Sequence, residues 1–321
     1  MNESPLVSVI ALCYNQEKYC KETLDSIYRQ DYDNTELILI DNGSTDCSGQ
    51  ILGDWIGLHE DLDIKFIKNE LNVGIPKAVN IGLSNVKGKY IAMIACDDIM
   101  LPTKLSIQVA QLENLSEVYG LTYSDAIIIN NDGKSTGSTW LEFLNIRDNR
   151  SGDLFERLIY RNHILPPTLL FRSTIFETVG LYDEDLTFED YDMILRIARG
   201  HFIAYTDTIT AKYRRHSLSA SAGIHVQHAD SYIRTLVKHI NIKEGYDSII
   251  KNRIRRIVFF SLAENFDEGR TLLDKYQIVS QFGMSATHIL KSRIAMKLVF
   301  IITYPYRKMT WLKKLRQLIG F

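Results

Sequence analysis

Through the first hundred residues, short apolar runs that end in polar loops alternate with segments whose apolar positions recur at helical spacing. VSVIALC leads through YNQE into KYCKETLDSIYRQ, and ELILID leads through NGSTD into CSGQILGDWIGLH. DIKFIK then leads through NELNVG into IPKAVNIGLSNVKG, with Pro76 suited to a first helical turn, and KYIAMIA runs into Cys96, Asp97 and Asp98. Runs of this length, rich in Val, Ile and Leu, read as buried strands, and the periodic segments between them as helices. Such alternation predicts an α/β fold with a mostly parallel central sheet and flanking helices.

In sheets of this kind ligands bind in the crevice at the carboxyl ends of the strands. The polar residues at those ends are Asn15, residues 41–46, Asn72, and Asp97 with Asp98, which converge on one edge. From residue 121 the pattern loosens. LTYSDAIIINNDG reads as strand and turn, SGDLFERLIY as helix, and LPPTLLFR as a short extended piece. After YRRHSLSAS the strand signals fade, and from His225 onward most of the chain reads as helix. The expected division is an α/β domain over residues 1–221 and a helical extension over residues 222–321.

A chain of 321 residues, 45% hydrophobic and 24% charged, can bury a sizeable core, and no apolar run approaches the length of about 18 residues that marks a membrane span. The start, MNESPLVSVI, lacks the basic residues and apolar core of a secretory signal, so a cytoplasmic protein is expected. Cys13, Cys20, Cys47 and Cys96 show no CxxC spacing and are expected to be reduced thiols. Charge is distributed unevenly. Residues 222–321 hold 17 Lys+Arg against 7 Asp+Glu, a net +10, which leaves −12 for residues 1–221. The last 31 residues hold eight basic residues and no acidic one, interleaved with aliphatic and aromatic side chains. That pattern suits an anionic membrane surface at the inner face of the plasma membrane, and also the solvated side of a helix packed on the domain; Pro305 would divide it in two. Nucleic acid is not expected as a partner of the acidic domain.

Two adjacent carboxylates repel and are costly to desolvate, so at a cleft Asp97 and Asp98 call for a compensating cation. Hard oxygen ligands suit Mg²⁺ or Mn²⁺, and such an ion with open positions can hold a diphosphate. Taken alone, an Asp-Asp pair reads first as a solvated loop cap. The chain, however, has neither a GxxxxGK[ST] loop nor a strand-turn-helix GxGxxG to bind phosphates on backbone amides, which leaves the metal route. A second acidic cluster, Glu189, Asp190 and Asp192, opens the periodic segment MILRIARG and reads structurally as a helix N-terminus. In YRRH, the residues Arg214, Arg215 and His216 suit diphosphate oxygens, and His216 suits a metal. His163, within RNHILPPTLL, is read as structural.

Four pieces in order, VSVIALCYN, DNGSTD, NVGIPKAVNIGLSNVKGKYIAMIACDD and FEDYDMILRIA, resemble the successive motifs of family 2 glycosyltransferases with the GT-A fold, over roughly residues 6–221. The resemblance implies an inverting transferase using a nucleotide-diphosphate sugar, a UDP-sugar favoured, and Mn²⁺ or Mg²⁺. It implies that Leu12, Tyr14, Asn15 and Glu17 of the first loop, with Asp41, Asn42, Lys77 and Asp97, bind the donor. Asp97, Asp98 and His216 would hold the metal, and Asp190 would be the catalytic base. The acceptor implied is a glycan hydroxyl on a polyprenyl-diphosphate carrier in surface polysaccharide synthesis, O-antigen among its kinds. This chain departs from the family's pattern twice. Ala95 stands where the family often has the first aspartate of Asp-x-Asp-Asp, and Asn42 replaces the second aspartate of Asp-Asp-Gly-Ser, with the expectation that its amide oxygen still accepts from a base N-H. The substitution at Ala95 keeps a non-catalytic nucleotide-sugar binding module as the alternative. A nucleotidyltransferase is disfavoured because no Gly-rich, Arg/Lys-containing loop follows the first strand.

Overall fold

The computed structural model describes residues 4–148, 151–187, 189–216, 228–242, 244–264 and 266–276. The chain forms two compact units, residues 1–154 with 163–222, and residues 155–162 with 223–321. In the first unit the expected alternation is present as β1 (Val7–Cys13), α1 (Cys20–Tyr28), β2 (Thr35–Asp41), α2 (Ser48–Gly57), β3 (Asp63–Lys68), α3 (Ile75–Leu83) and β4 (Tyr90–Ala95). The elements β5 (Ile99–Met100), α4 (Lys104–Glu113), β6 (Tyr119–Tyr123), β7 (Ala126–Ile129), β8 (Ser135–Thr139) and α5 (Trp140–Phe143) follow. Helix α6 (Phe155–Tyr160) lies in the second unit. The chain then returns to the first for β9 (Leu170–Arg172), α7 (Ile175–Val179), α8 (Glu189–Gly200), β10 (Phe202–Tyr205) and β11 (Ala211–Arg214).

Seven strands form the main sheet in the order β10-β6-β9-β4-β1-β2-β3. Strands β4, β1, β2 and β3 are parallel, and β9 runs antiparallel to both β4 and β6. The sequence signature of β1 and β2 follows from this position. Strands buried on both faces read as continuous apolar runs, and Val7, Val9, Ile10, Leu39 and Ile40 are all buried. On one face Leu24 of α1, Leu52 and Trp55 of α2, and Leu105 of α4 join the core. On the other, α3 approaches so closely that a Cβ on Gly82 would lie 2.8 Å from Ile10 Cγ2. A smaller sheet, β5-β11-β7-β8, stands beside the first. LPPTLLFR, expected as one extended piece, divides into a 3-10 turn over Pro166–Thr168 and strand β9.

The second unit joins α6 to α9 (Ala229–Val237), α10 (Asp247–Glu264) and α11 (Phe266–Lys275). The Phe155 ring meets the rings of His239 and Tyr246 with centroids 5.3 and 5.2 Å away. Lys275 Nζ and Tyr276 Oη both donate to Asp230 Oδ1 at 2.7 Å, which ties the end of α11 to α9. Among the described residues no helix is long and apolar enough to cross a membrane. The basic segment over residues 291–321, on which membrane-surface binding is expected, lies outside the described residues.

Candidate functional site

Strand β1 lies between β2 and β4, so the direction in which strands are added to the sheet reverses there, and the crevice opens at the ends of β1 and β4. Past the end of β4, Cys96 N donates to Leu12 O at 2.9 Å and Asp98 N to Ala95 O at 3.1 Å, which closes a tight turn around Asp97. The chain then leaves the main sheet as β5 and pairs antiparallel with β11, Ile99 opposite Lys212 and Met100 opposite Ala211. That pairing returns Arg214, Arg215 and His216 to the turn. His216 Nε2 sits 2.9 Å from Asp97 Oδ2, and the Asp97 side chain is 11% exposed.

Asp98 differs from the expectation that it shares a cation with Asp97. Its Oδ1 accepts the Arg214 backbone N-H at 2.8 Å, and Thr23 Oγ1 donates to its carbonyl at 2.7 Å. Burial, and then the charge of Asp97, push its carboxyl well above the ordinary carboxylate range. Asp98 therefore acts as the pin on which β11 is hung. Arg214, expected at diphosphate oxygens, is 2% exposed and directs its guanidinium inward to Glu22 Oε2 and to the carbonyls of Asp97 and Asn130. Arg215 is exposed, its guanidinium 5.0 Å from the Phe143 ring centroid.

The expected donor residues divide into two groups. Asn15, at φ 51°, accepts Thr45 N on Oδ1 at 2.8 Å, and its own N donates to Ser44 Oγ. Glu17 N donates to Asp46 Oδ2 and Glu17 Oε2 accepts Cys47 N at 2.9 Å, so both residues zip the loop after β1 to the loop after β2. Asn42, expected to accept a base N-H, uses both ends of its amide within the fold. Its Oδ1 already accepts Asn69 Nδ2 at 2.9 Å and Val73 N at 3.2 Å, and its Nδ2 donates to Asn72 Oδ1 at 3.0 Å. This lock requires Gly43, at φ +76°, where a Cβ would lie 2.4 Å from Leu71 C. Asp41 remains. It is fully buried, its Oδ1 accepts Ser44 N at 2.9 Å, and its Oδ2 has no hydrogen-bond partner among the described residues. Leu12 is half-buried at the end of β1, Tyr14 is 42% exposed just beyond it, and Lys77 is exposed on the first turn of α3.

Helix α8 presents Glu189 and Asp190 half-buried at its start. Burial, then the charge of Asp190, pushes Glu189 up to about 8, and burial pushes Asp190 up to about 6. The pair lies near Tyr182, whose phenol is raised by burial and by both carboxylates, and Tyr182 Oη donates to Met93 Sδ of β4 at 3.5 Å. The loop before α8 is held by Asn80 of α3, which accepts Tyr182 N at 2.9 Å and donates to Glu184 Oε1 at 3.0 Å. Asp192 is structural: fully buried, its Oδ2 accepts Arg196 Nε at 2.8 Å, and Arg196 in turn caps the carbonyls of Val179 and Leu181. His163 is buried against Tyr123 Oη at 3.2 Å, as its structural reading expects.

A divalent cation would find two protein donors here, the Asp97 carboxylate and the His216 imidazole. No group of three or more His, Cys, Asp or Glu suited to a metal occurs among the described residues. A carboxylate and an imidazole with remaining positions for phosphate oxygens and water fit Mn²⁺ or Mg²⁺, so the residues fit such an ion as a two-donor site. Tyr19, just before α1, and Glu22 of α1 contact His216 and Arg214, and the sequence reading missed both. Nothing local marks them, since Glu22 reads as ordinary solvent-facing polarity and Tyr19 as a core aromatic.

Residues 8–179 match the model of glycosyl transferase family 2. A relative described as a glycosyltransferase from Haemophilus influenzae is 28% identical over 309 residues, 90% of this chain and 93% of that one. A longer relative from Rickettsia bellii, also described as a glycosyltransferase, is 27% identical, and the chain spans 42% of it. In fold the chain is similar to S. aureus TarS residues 1-349, solved with UDP-GlcNAc, at a TM-score of 0.64 and 20% identity over 85% of this chain and 78% of that one. It is also similar to the mannosyltransferase PcManGT of Pyrobaculum calidifontis, solved with GDP-Man and Mn²⁺, at a TM-score of 0.65 and 18% identity over 99% and 86%.

Proposed function

The chain belongs to glycosyl transferase family 2, and from that premise we propose that it is an inverting, metal-dependent transferase of a hexosyl or N-acetylhexosaminyl unit from a nucleotide-diphosphate sugar to a hydroxyl of a glycan acceptor. The observation that carries this reading is the 2.9 Å approach of His216 Nε2 to Asp97 Oδ2 at the end of β4. The acidic pair of α8 stands by the same strand, through Tyr182 and Met93. A UDP-sugar is the favoured donor, because TarS, a protein of the same fold, binds UDP-GlcNAc.

In this mechanism Asp97 and His216 hold Mn²⁺ or Mg²⁺, which when bound supplies positive charge to the departing diphosphate. Asp41, with a buried oxygen unpartnered among the described residues, and the loop carrying Tyr14 receive the nucleoside. Burial raises both carboxyls of the acidic pair, and the charge of Asp190 raises Glu189 further, so Asp190 is the member that ionises first. Asp190 accepts the proton of the acceptor hydroxyl as that oxygen attacks the anomeric carbon on the face opposite the diphosphate. One displacement inverts the centre. Glu189 orients the acceptor.

The alternative, a non-catalytic nucleotide-sugar binding module, is favoured by one feature, Ala95 at the exposed end of β4 where an acid is often found. Calorimetric titration of UDP, dTDP and GDP with and without Mn²⁺, followed by assay of transfer and donor hydrolysis, separates the two. Asp190→Asn should lower kcat by about 10²–10⁴-fold with unchanged nucleotide affinity. Equal turnover in that variant rejects Asp190 as the base, and absence of both transfer and hydrolysis in the wild type selects the binding module. The acceptor we propose is a polyprenyl-diphosphate-linked glycan of surface polysaccharide synthesis. The eight basic residues of the final segment would bring the enzyme to the anionic inner leaflet. Flotation with phosphatidylglycerol vesicles should capture the full chain at low salt and lose it at high salt, whereas equal capture by phosphatidylcholine would rule out the electrostatic anchor.

A further inference from the structure

His216 and Asp97 are 119 positions apart in the chain, and one side chain fixes how their elements meet. Arg214 donates through its backbone N to Asp98 Oδ1 at 2.8 Å, through Nε to Asp97 O at 2.8 Å, through Nη1 to Asn130 O at 3.2 Å, and through Nη2 to Glu22 Oε2 at 2.6 Å. Its guanidinium lies 4.7 Å from the centroid of the Tyr19 ring. That ring is in turn 5.0 Å from the His216 ring, and its hydroxyl is anchored on Asn131 Oδ1. Helix α1, the turn after β4, the turn between β7 and β8, and the end of β11 are therefore joined through a group that is 2% exposed. With 2% of its side chain exposed, Arg214 is committed to these inward partners.

We propose that Arg214, oriented by Glu22, is a positioning residue that sets the His216 imidazole against the Asp97 carboxylate and so determines how tightly this two-donor site takes a divalent cation. This rests on the metal site of the proposed function. The planar fork is what the geometry demands, since a lysine ammonium is a single point and cannot serve the Asp97 carbonyl, the Asn130 carbonyl and the Glu22 carboxylate along separate directions. Glu22 is 54% exposed, so its amide replacement loosens the fork without opening the core.

The test uses the full chain and measures free Mn²⁺ by electron paramagnetic resonance, with Mn²⁺ alone and with Mn²⁺ plus UDP or GDP, alongside thermal melting. Arg214→Lys should weaken Mn²⁺ binding by about tenfold or more. Glu22→Gln should weaken it by less at an unchanged melting temperature, and excess Mn²⁺ should restore the transfer rate of Glu22→Gln, which a purely structural defect would not allow. Wild-type Mn²⁺ affinity in folded Glu22→Gln and Arg214→Lys overturns the proposal; should Arg214→Lys fail to fold, Glu22→Gln decides alone. Asp97→Asn is the control for the underlying site. If it binds Mn²⁺ as the wild type does, the metal reading itself falls, a result distinct from a positioning failure over an intact site.

Discussion

Asp97 and Asp98 are neighbours in the chain, yet one carboxylate faces His216 and the other accepts the Arg214 amide. Residue type made the pair visible in the sequence, but the division of labour depends on which way each side chain leaves a tight turn. The same holds for Asn42, whose identity suggested a base contact and whose environment uses both of its amide ends. Asp190 is the residue whose chemistry gives the sharpest expectation. Its carboxyl is raised to about 6, so the base form is present above that pH and is lost as pH falls through it. The kcat/KM profile should therefore descend on its acid side with an apparent pKa of about 6, above that of an ordinary aspartate, tenfold per pH unit. An acid limb near 4, measured by stopped transfer assays across pH 4–8, would mean that Asp190 is solvated during turnover or is not the base.

At the scale of elements, the parallel half of the main sheet was legible because strands buried on both faces are mostly apolar, as β4 is throughout, β1 apart from Ser8, and β2 between Glu36 and Asp41. The small sheet was not legible. Strand β5 has two residues and β11 four, too short for a periodicity to register, and the site depends on their pairing. Nor was the anchoring of the segment before β9. Lys104, the first residue of α4, reads as a helix-surface lysine but is fully buried, donating to Leu169 O at 3.0 Å and to Gln108 Oε1, while Gln108 Nε2 donates to Thr168 O at 2.7 Å. Burial lowers its ammonium to about 7. An unfolded lysine titrates near 10.4, so between about pH 7 and 10 the unfolded chain binds the extra proton and the Lys104 contribution to folding stability rises with pH, most cleanly below about pH 8 where the buried thiols and phenols do not yet titrate. Urea unfolding of the wild type should show this rise, and Lys104→Met should remove it; equal slopes in the two proteins over that window would show that Lys104 is charged in the fold.

For the whole molecule, the helical unit borrows α6 from the middle of the sequence. Phe155, Leu158 and Ile159 of that helix are fully buried, each worth about 1.5–3 kcal/mol when removed from water. A fragment ending at residue 222 would retain α6 while lacking α9, α10 and α11. It should bind a hydrophobic dye and aggregate more readily than the full chain, and polar replacement of these three side chains in the fragment should reverse both. A fragment that is monodisperse without such replacements, by light scattering, would show that α6 finds other cover. The interleaving also bears on synthesis. On the ribosome, residues 163–228 follow α6, and at about 5–20 residues per second the emergence of α6 precedes that of α9 by on the order of several seconds. During that interval its apolar face is a ready target for chaperones, so the cell's ability to produce this enzyme depends on what shelters a single short helix while the rest of the sheet is being translated.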